Sequence, residues 1–189
     1  MLEREVKIRF SDPDLARSSL ARIGAVRLRP RRLQDDTLFD TADSALRARR
    51  SVVRLRREPD RAFVTFKGPV QPGPMKMREE QETEVADAEV IRRVLHELGL
   101  QAWFRYQKFR EEFRAPGVVI ALDETPVGTY LEIEGSEEGI LTVADALGCS
   151  PADFILDSYR GLFVKFAQAN NLRERDMLFD PGDAASAAS

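Results

Sequence analysis

Along residues 2–10, apolar and charged side chains alternate. Leu2, Val6, Ile8 and Phe10 fall on one face of an extended strand and Glu3, Glu5, Lys7 and Arg9 on the other, with Arg4 the exception. The same period of two returns in 52–56, 62–67, 76–85, 103–113, 118–123 and 128–134, so each of these segments is predicted to be a strand. Residues 25–40 lack helical periodicity and read as a further strand with a break at Pro30. Between strands the period lengthens. Asp12 and Pro13 supply a cap and a first-turn proline, Leu15, Leu20 and Ile23 recur at near-helical spacing, and Gly24 ends that helix. A short turn-helix connection is predicted over 40–49. Asp87 caps another helix, in which Val90, Ile91, Val94, Leu95 and Leu98 form an apolar stripe. Two last helices are predicted over 137–147 and 151–168, the second capped by Ser150. Glu58-Pro59-Asp60 and Pro116-Gly117 read as turns, and 68–74, rich in proline and glycine, as a flexible loop.

About eight strands with hairpin-length connections imply antiparallel pairing. Eight such strands can close into a barrel whose lumen holds side chains plus one small ligand. The expected fold is α+β: an eight-stranded antiparallel β-barrel with helices packed outside, as one domain over 1–175. Residues 176–189, ending in Ala and Ser, are expected to form a disordered tail. Composition adds limits. The chain of 189 residues is 43% apolar, enough for a core, and 32% charged, above the usual ~25%. Its 29 basic and 32 acidic residues nearly cancel, to −3, which argues against a nucleic-acid partner. A single cysteine, Cys149, leaves no internal disulfide and suits a reducing cytosol, and no apolar run approaches the ~18 residues of a membrane span. A soluble, cytoplasmic protein is expected.

Where the charges stand changes the picture. Arg54 shares a face with Arg56, Lys67 with Thr65, Arg78 with Glu80, Glu82 and Glu84, Lys108 with Arg110 and Glu112, and Tyr130 with Glu132 and Glu134. Antiparallel sheets commonly solvate one face, so any one of these strands reads as a charged exterior. Taken together, the charges divide into two chemical groups. Arg54, Arg56, Lys67, Arg78, Lys108 and Arg110 suit a phosphate chain, because guanidinium forks match phosphate oxygens and ammonium groups add point charge. Glu3, Glu5, Glu80, Glu82, Asp123, Glu132 and Glu134 suit a hard divalent cation, which takes oxygen ligands and bridges to phosphates. Facing inward, the two groups would gather around one triphosphate.

Glu3-x-Glu5-x-Lys7 resembles the signature of the CYTH superfamily, the triphosphate tunnel metalloenzymes. The supporting motifs follow in order: residues 34–41 (Gln-Asp-Asp-Thr-Leu-Phe-Asp-Thr), Leu55-Arg56, Thr65-Phe66-Lys67-Gly68-Pro69, Arg78-x-Glu80-x-Glu82, Lys108-x-Arg110, Asp123, Glu132-x-Glu134 and Ser158-Tyr159. The likeness spans roughly 1–165, and Leu38 departs from it where the family often has tyrosine. It implies an eight-stranded tunnel, dependence on Mg²⁺ or Mn²⁺, and a triphosphate-containing small molecule such as ATP, tripolyphosphate or thiamine triphosphate. Carried over by position, Glu3, Glu5, Glu132 and Glu134 are implied as metal ligands. Arg54, Arg56, Lys67, Arg78, Lys108 and Arg110 are implied as the phosphate-binding set. Lys7 is placed beside the phosphates and Asp123 near the reacting end, as the catalytic pair.

Three functions follow from this. One is cyclisation of ATP to cyclic AMP and pyrophosphate, as in class IV adenylate cyclases, which the closing segment 128–159 resembles. A second is hydrolysis of a triphosphate. A third is a non-catalytic polyphosphate-binding module, which the set of candidate metal carboxylates disfavours. The sequence leaves open whether two chains pair as a homodimer. His96 reads as an ordinary surface residue, Cys149 as inert, and Trp103, Phe104 and Tyr106 as packing. The arginines of 27–32 read as a solvated edge or, alternatively, the mouth of a tunnel, and Glu84 and Glu112 as water-exposed near strand ends.

Overall fold

In the computed structural model, which describes residues 2–173, 175–180 and 182, the alternating segments close on themselves. The strands are β1 (Leu2–Phe10), β2 (Val26–Thr41), β3 (Val52–Arg57), β4 (Ala62–Lys67), β5 (Lys76–Val85), β6 (Leu100–Ala115), β7 (Val118–Thr125) and β8 (Gly128–Gly135). They run around the ring in the order β1-β5-β4-β3-β2-β6-β7-β8, and every neighbouring pair is antiparallel. β1 shuts the ring. Its first residues pair with β5, Glu5 opposite Lys76, and from Glu5 onward it pairs with β8, Lys7 opposite Glu132. The expected α+β barrel with outer helices is therefore the observed fold.

The apolar core lies outside the ring. Val6, Ile8, Ile120, Leu122, Leu131 and Ile133, from the outer faces of β1, β7 and β8, pack against Ala16 and Leu20 of α1 (Pro13–Arg22) and Ile140, Val143 and Ala144 of α4 (Glu137–Ala146). Burying that strip on one side leaves the opposite, charged faces no position but the interior, because side chains alternate across a strand. The tight β7–β8 edge needs glycine: Gly135 has φ +154°, and a Cβ there would overlap the Gly117 carbonyl oxygen.

Four expectations are corrected. β2 runs through Pro30 without ending, its register with β6 slipping between Arg27 and Arg32 because proline offers no ladder N–H. The helix expected over 151–168 is two pieces, a 3₁₀ turn (Pro151–Asp153) and α5 (Tyr159–Ala169). Between them Ile155 exchanges backbone hydrogen bonds with Lys7, satisfying the side of β1 that β5 has left. The stripe on α3 (Ala88–Glu97) buries no residue, and Leu98 just beyond it is 71% exposed. Finally, the tail expected from 176 begins with a docked segment. Met177 exchanges backbone hydrogen bonds with Arg105 and Gln107 of β6 and is 1% exposed, and Phe179 lies 5.1 Å from the Phe109 ring. The rest of that predicted tail, 183–189, lies outside the described residues. Among the described residues, no helix is long and apolar enough to cross a membrane.

Candidate active site

The ring encloses a cavity of about 610 Å³. Its lining includes Lys7, Arg54, Arg56, Lys67, Arg78, Lys108, Arg110, Glu3, Glu5, Glu132 and Glu134, which is every residue proposed from the sequence except Asp123. The solvated-face reading thus fails: Lys7, Lys108, Arg54, Arg56, Lys67 and Glu5 are all buried. Among the described residues, eleven lysines and arginines line the cavity against seven glutamates.

The cations of one wall are fixed by two carboxylates that the cavity does not expose. Asp36, fully buried, accepts from Arg56 through both oxygens, at 2.8 Å and 2.9 Å, and is held ionised well below the usual carboxylate range: burial would raise it, and Arg56 and Arg54 overcome that. Asp123, also fully buried, accepts from Arg110 Nε at 2.7 Å, Arg110 Nη2 at 2.6 Å and Lys108 Nζ at 2.9 Å, and from the Tyr159 hydroxyl. Asp123, expected near the reacting end, does not itself line the cavity. With both oxygens taken by cations, it stands behind the lining and aims Arg110 and Lys108 into the cavity. Burial, then the neighbouring Arg110, brings the Lys108 ammonium down to about 7.

The other wall is crowded with acid. Lys67 bridges Glu3, at 3.1 Å, and Glu80. Glu5 lies between Lys7, at 3.1 Å, and Lys76. Glu132 accepts from Lys7 at 2.9 Å and from Arg110 at 2.8 Å. Glu134 stands opposite Glu5 in the β1–β8 register, and no cation is paired with it among the described residues. Glu134 is exposed at the cavity edge, yet partial desolvation there, then Glu132 and Glu5, pushes its carboxyl up to about 7. Glu3 is pushed up to about 8 by burial and the hydrogen bond it shares with Glu80. Here too few positive charges serve too many carboxylates.

The sequence pattern of the CYTH domain matches residues 1–149. This chain belongs to the CYTH family. A Methanocaldococcus jannaschii protein named as a candidate adenylate cyclase is 28% identical over 176 residues, covering 86% of this CYTH chain and all of its own length. Solved structures agree in fold. A candidate adenylate cyclase from Vibrio parahaemolyticus superposes with TM-score 0.76 at 19% identity, covering 87% of this chain and 98% of its own. A Hippeastrum protein, described as a candidate adenylyl cyclase that reveals a dominant triphosphatase activity, gives 0.64 at 20% identity, covering 87% and 96%.

CYTH proteins are metal-dependent enzymes of triphosphates, and the donor set here fits a hard divalent cation. It is all carboxylate oxygen, and desolvation and neighbouring carboxylates shift Glu3 and Glu134 upward. Among the described residues, no three acids are drawn together into a metal-holding group as they stand, because Lys7, Lys67 and Lys76 lie between them.

Several lining residues of this CYTH site escaped the sequence reading. Lys76 was taken only as a strand start, although alternation back from Arg78 puts it on the inner face; burial, then Lys7, lowers it to about 8. Glu112, expected in water, faces the cavity and pairs with Arg32 at 2.9 Å, and Arg32 is itself buried rather than on a solvated edge. Trp103 and Tyr106, read as packing, do pack with Phe104, and both also line the cavity. Tyr159 carries Lys108 and Lys7 over its ring at 4.6 Å and 5.2 Å. Arg47, Arg50 and Arg160 had no sequence signal, because they come from a turn and a helix start that the strand period does not reach.

Proposed function

We propose that this chain is a metal-dependent enzyme that converts a nucleoside triphosphate held inside the ring, and that it belongs with the adenylate cyclases of its family. One observation carries the reading: an enclosed cavity has an excess of cations on one wall and under-neutralised carboxylates on the other. A phosphate chain lies along the first and a divalent cation against the second. Arg54, Arg56, Lys67, Arg78, Lys108 and Arg110 would bind the phosphate oxygens and stabilise charge that grows on them. Glu3, Glu5 and Glu134, with Glu132 beside them, would hold Mg²⁺ or Mn²⁺, which when bound neutralises phosphate charge as a Lewis acid. Lys7, buried between Glu5 and Glu132, would donate to the chain once these acids turn to the cation. Asp123 and Asp36 act as positioning residues, keeping the guanidiniums aimed before the substrate arrives.

In the cyclase reaction the ribose 3′-hydroxyl attacks the α-phosphorus, its proton leaves, and pyrophosphate departs. In the hydrolytic reaction water attacks the terminal phosphorus and orthophosphate departs. The activity described for the Hippeastrum neighbour supports this second reading. The deciding experiment incubates the protein with ATP, GTP, thiamine triphosphate and tripolyphosphate, with Mg²⁺, Mn²⁺ or EDTA, and separates cyclic nucleotide, pyrophosphate and orthophosphate. Cyclic AMP formed only with metal supports the cyclase, and orthophosphate alone assigns the hydrolase. Binding without turnover under every metal would end the enzyme reading in favour of a binding module.

A further inference from the structure

One mouth of the cavity is built unlike its walls. Trp103, the single tryptophan of the chain, lies half-buried there with two guanidiniums over its ring, Arg47 at 4.4 Å and Arg160 at 4.8 Å. Arg47 is anchored by Asp40 at 2.8 Å, whereas among the described residues no carboxylate pairs with Arg160. The same three side chains also border a second cavity, of about 750 Å³, lined by α5 and by Phe104 of β6. That cavity has an apolar floor, including Phe163, Val164 and Leu172. Its lining also carries Arg173 and Arg175 besides the shared pair, and among the described residues none of it is acidic.

A structural explanation would have these arginines pair with acids, as Arg57 does with Glu89 and Arg61 with Glu84 elsewhere on the surface. Here they cover an indole face instead. Burial and the nearby Arg47 press the Arg160 guanidinium downward, so the two cations gain from each other nothing that would hold them together. Guanidinium planes and indole faces both stack on flat, electron-rich rings, and guanidiniums also donate to ring nitrogens and carbonyl oxygens. Trp103, Arg47 and Arg160 line the same cavity as Arg54, Arg56, Lys108 and Arg110.

We infer that Trp103 and Arg160 form a stacking site for the aromatic base of the triphosphate, which leaves the tunnel at this mouth and lies toward the second cavity. Arg160, paired with no acid among the described residues, is the member that yields to admit the base, while Arg47 stays anchored. This deepens the proposed function and rests on it. It makes the organic group a planar base rather than an aliphatic one, and it makes Trp103 the residue that separates nucleoside triphosphates from tripolyphosphate.

The lone tryptophan supplies a readout independent of turnover. With Mg²⁺ present, calorimetry measures the binding of ATP and of tripolyphosphate, while tryptophan emission is followed in parallel. ATP is expected to quench the emission and tripolyphosphate to leave it nearly unchanged. Trp103→Ala and the surface variant Arg160→Ala are each expected to weaken ATP by about tenfold, within the range of base stacking, and tripolyphosphate by less than twofold. If both ligands bind and ATP leaves the emission silent, or if Arg160→Ala weakens both equally, the stacking site is overturned while the tunnel reading stands. If neither ligand binds, the tunnel reading falls and this one with it.

Discussion

Asp123 and Glu134 lie on adjacent strands, β7 and β8, and are both carboxylates of the same ring, yet opposite forces govern them. Asp123 is surrounded by Arg110, Lys108 and the Tyr159 hydroxyl, which hold it ionised. Glu134 faces Glu5 and Glu132 and is pushed toward its protonated form. On the first wall the charges are satisfied before any ligand arrives, so the wall is rigid and pre-aimed. On the second the charges are satisfied only when a cation comes. The folded protein thus stores the cost of crowding on one side of the cavity and recovers it on binding.

The largest effect should come from breaking the satisfied wall. Asp123→Ala leaves Arg110 and Lys108 buried without their shared anion, and removing one partner of a buried ionic network costs about 3–5 kcal/mol. Chemical denaturation should show a loss of that size, and triphosphate binding should weaken with it because Arg110 is no longer aimed. Asp123→Asn, which keeps the shape and one acceptor, should recover part of the stability. A loss below about 1 kcal/mol for the alanine variant would mean that the two cations find other partners, and the contrast between the walls would lose its basis.

The crowded wall should respond with the opposite sign. Glu134→Gln removes a carboxylate that its neighbours repel, so metal-free stability should hold or rise, by no more than about 1 kcal/mol. The gain in melting temperature that wild type shows with Mg²⁺ or Mn²⁺ should shrink, and metal affinity measured by calorimetry should fall about tenfold or more. A variant that loses metal-free stability as Asp123→Ala does would show Glu134 to be a structural partner and not a cation ligand.

This difference between walls was only half legible in the sequence. The period of two announced every strand but β2 and told which side chains share a face, so Glu3, Glu5, Lys7, Arg54, Arg56, Lys108, Arg110 and Glu132 could be named together. The outer core shows why the charged faces turned inward: the apolar faces of β1, β7 and β8 are claimed by α1 and α4. What alternation cannot carry is pairing across strands that are distant in sequence. Asp36 stands opposite Arg56 only through the β2–β3 register, and Lys76 opposite Glu5 only through β1–β5. Ile155 and Met177 were misread for a related reason. Each patches backbone groups left open where a strand parts from its neighbour, a need set by ring closure and invisible in a local window. The exposed stripe on α3 is the reverse case: its helical period is plain, and the ring leaves it little to pack against.

The smallest effect, and the one that tests both walls at once, is the pH dependence of stability without metal. Glu3 near 8 and Glu134 near 7 lie above the 4.5 of an ordinary glutamate, so between pH 4.5 and 8 the folded chain holds protons that the unfolded chain has released. Stability therefore falls as pH rises through that window. Lys108 near 7 and Lys76 near 8 lie below the ordinary 10.5, so above pH 7 the unfolded chain binds protons that the folded chain lacks, and stability rises toward pH 10. The two trends meet in a shallow minimum around pH 7–8. Water reaching Glu134 at the cavity edge damps the acid side, so the dip in melting temperature should be small, about 2–4 °C. A divalent cation replaces protons on Glu3 and Glu134, so its stabilising effect should be greater at pH 8 than at pH 5. Thermal unfolding in EDTA and in Mg²⁺ across pH 5–10 measures both. A profile that climbs steadily from pH 5 to 8 without metal, or a larger Mg²⁺ gain at pH 5, would show that the carboxylates of the second wall are not crowded, leaving the cation no vacancy of charge to fill.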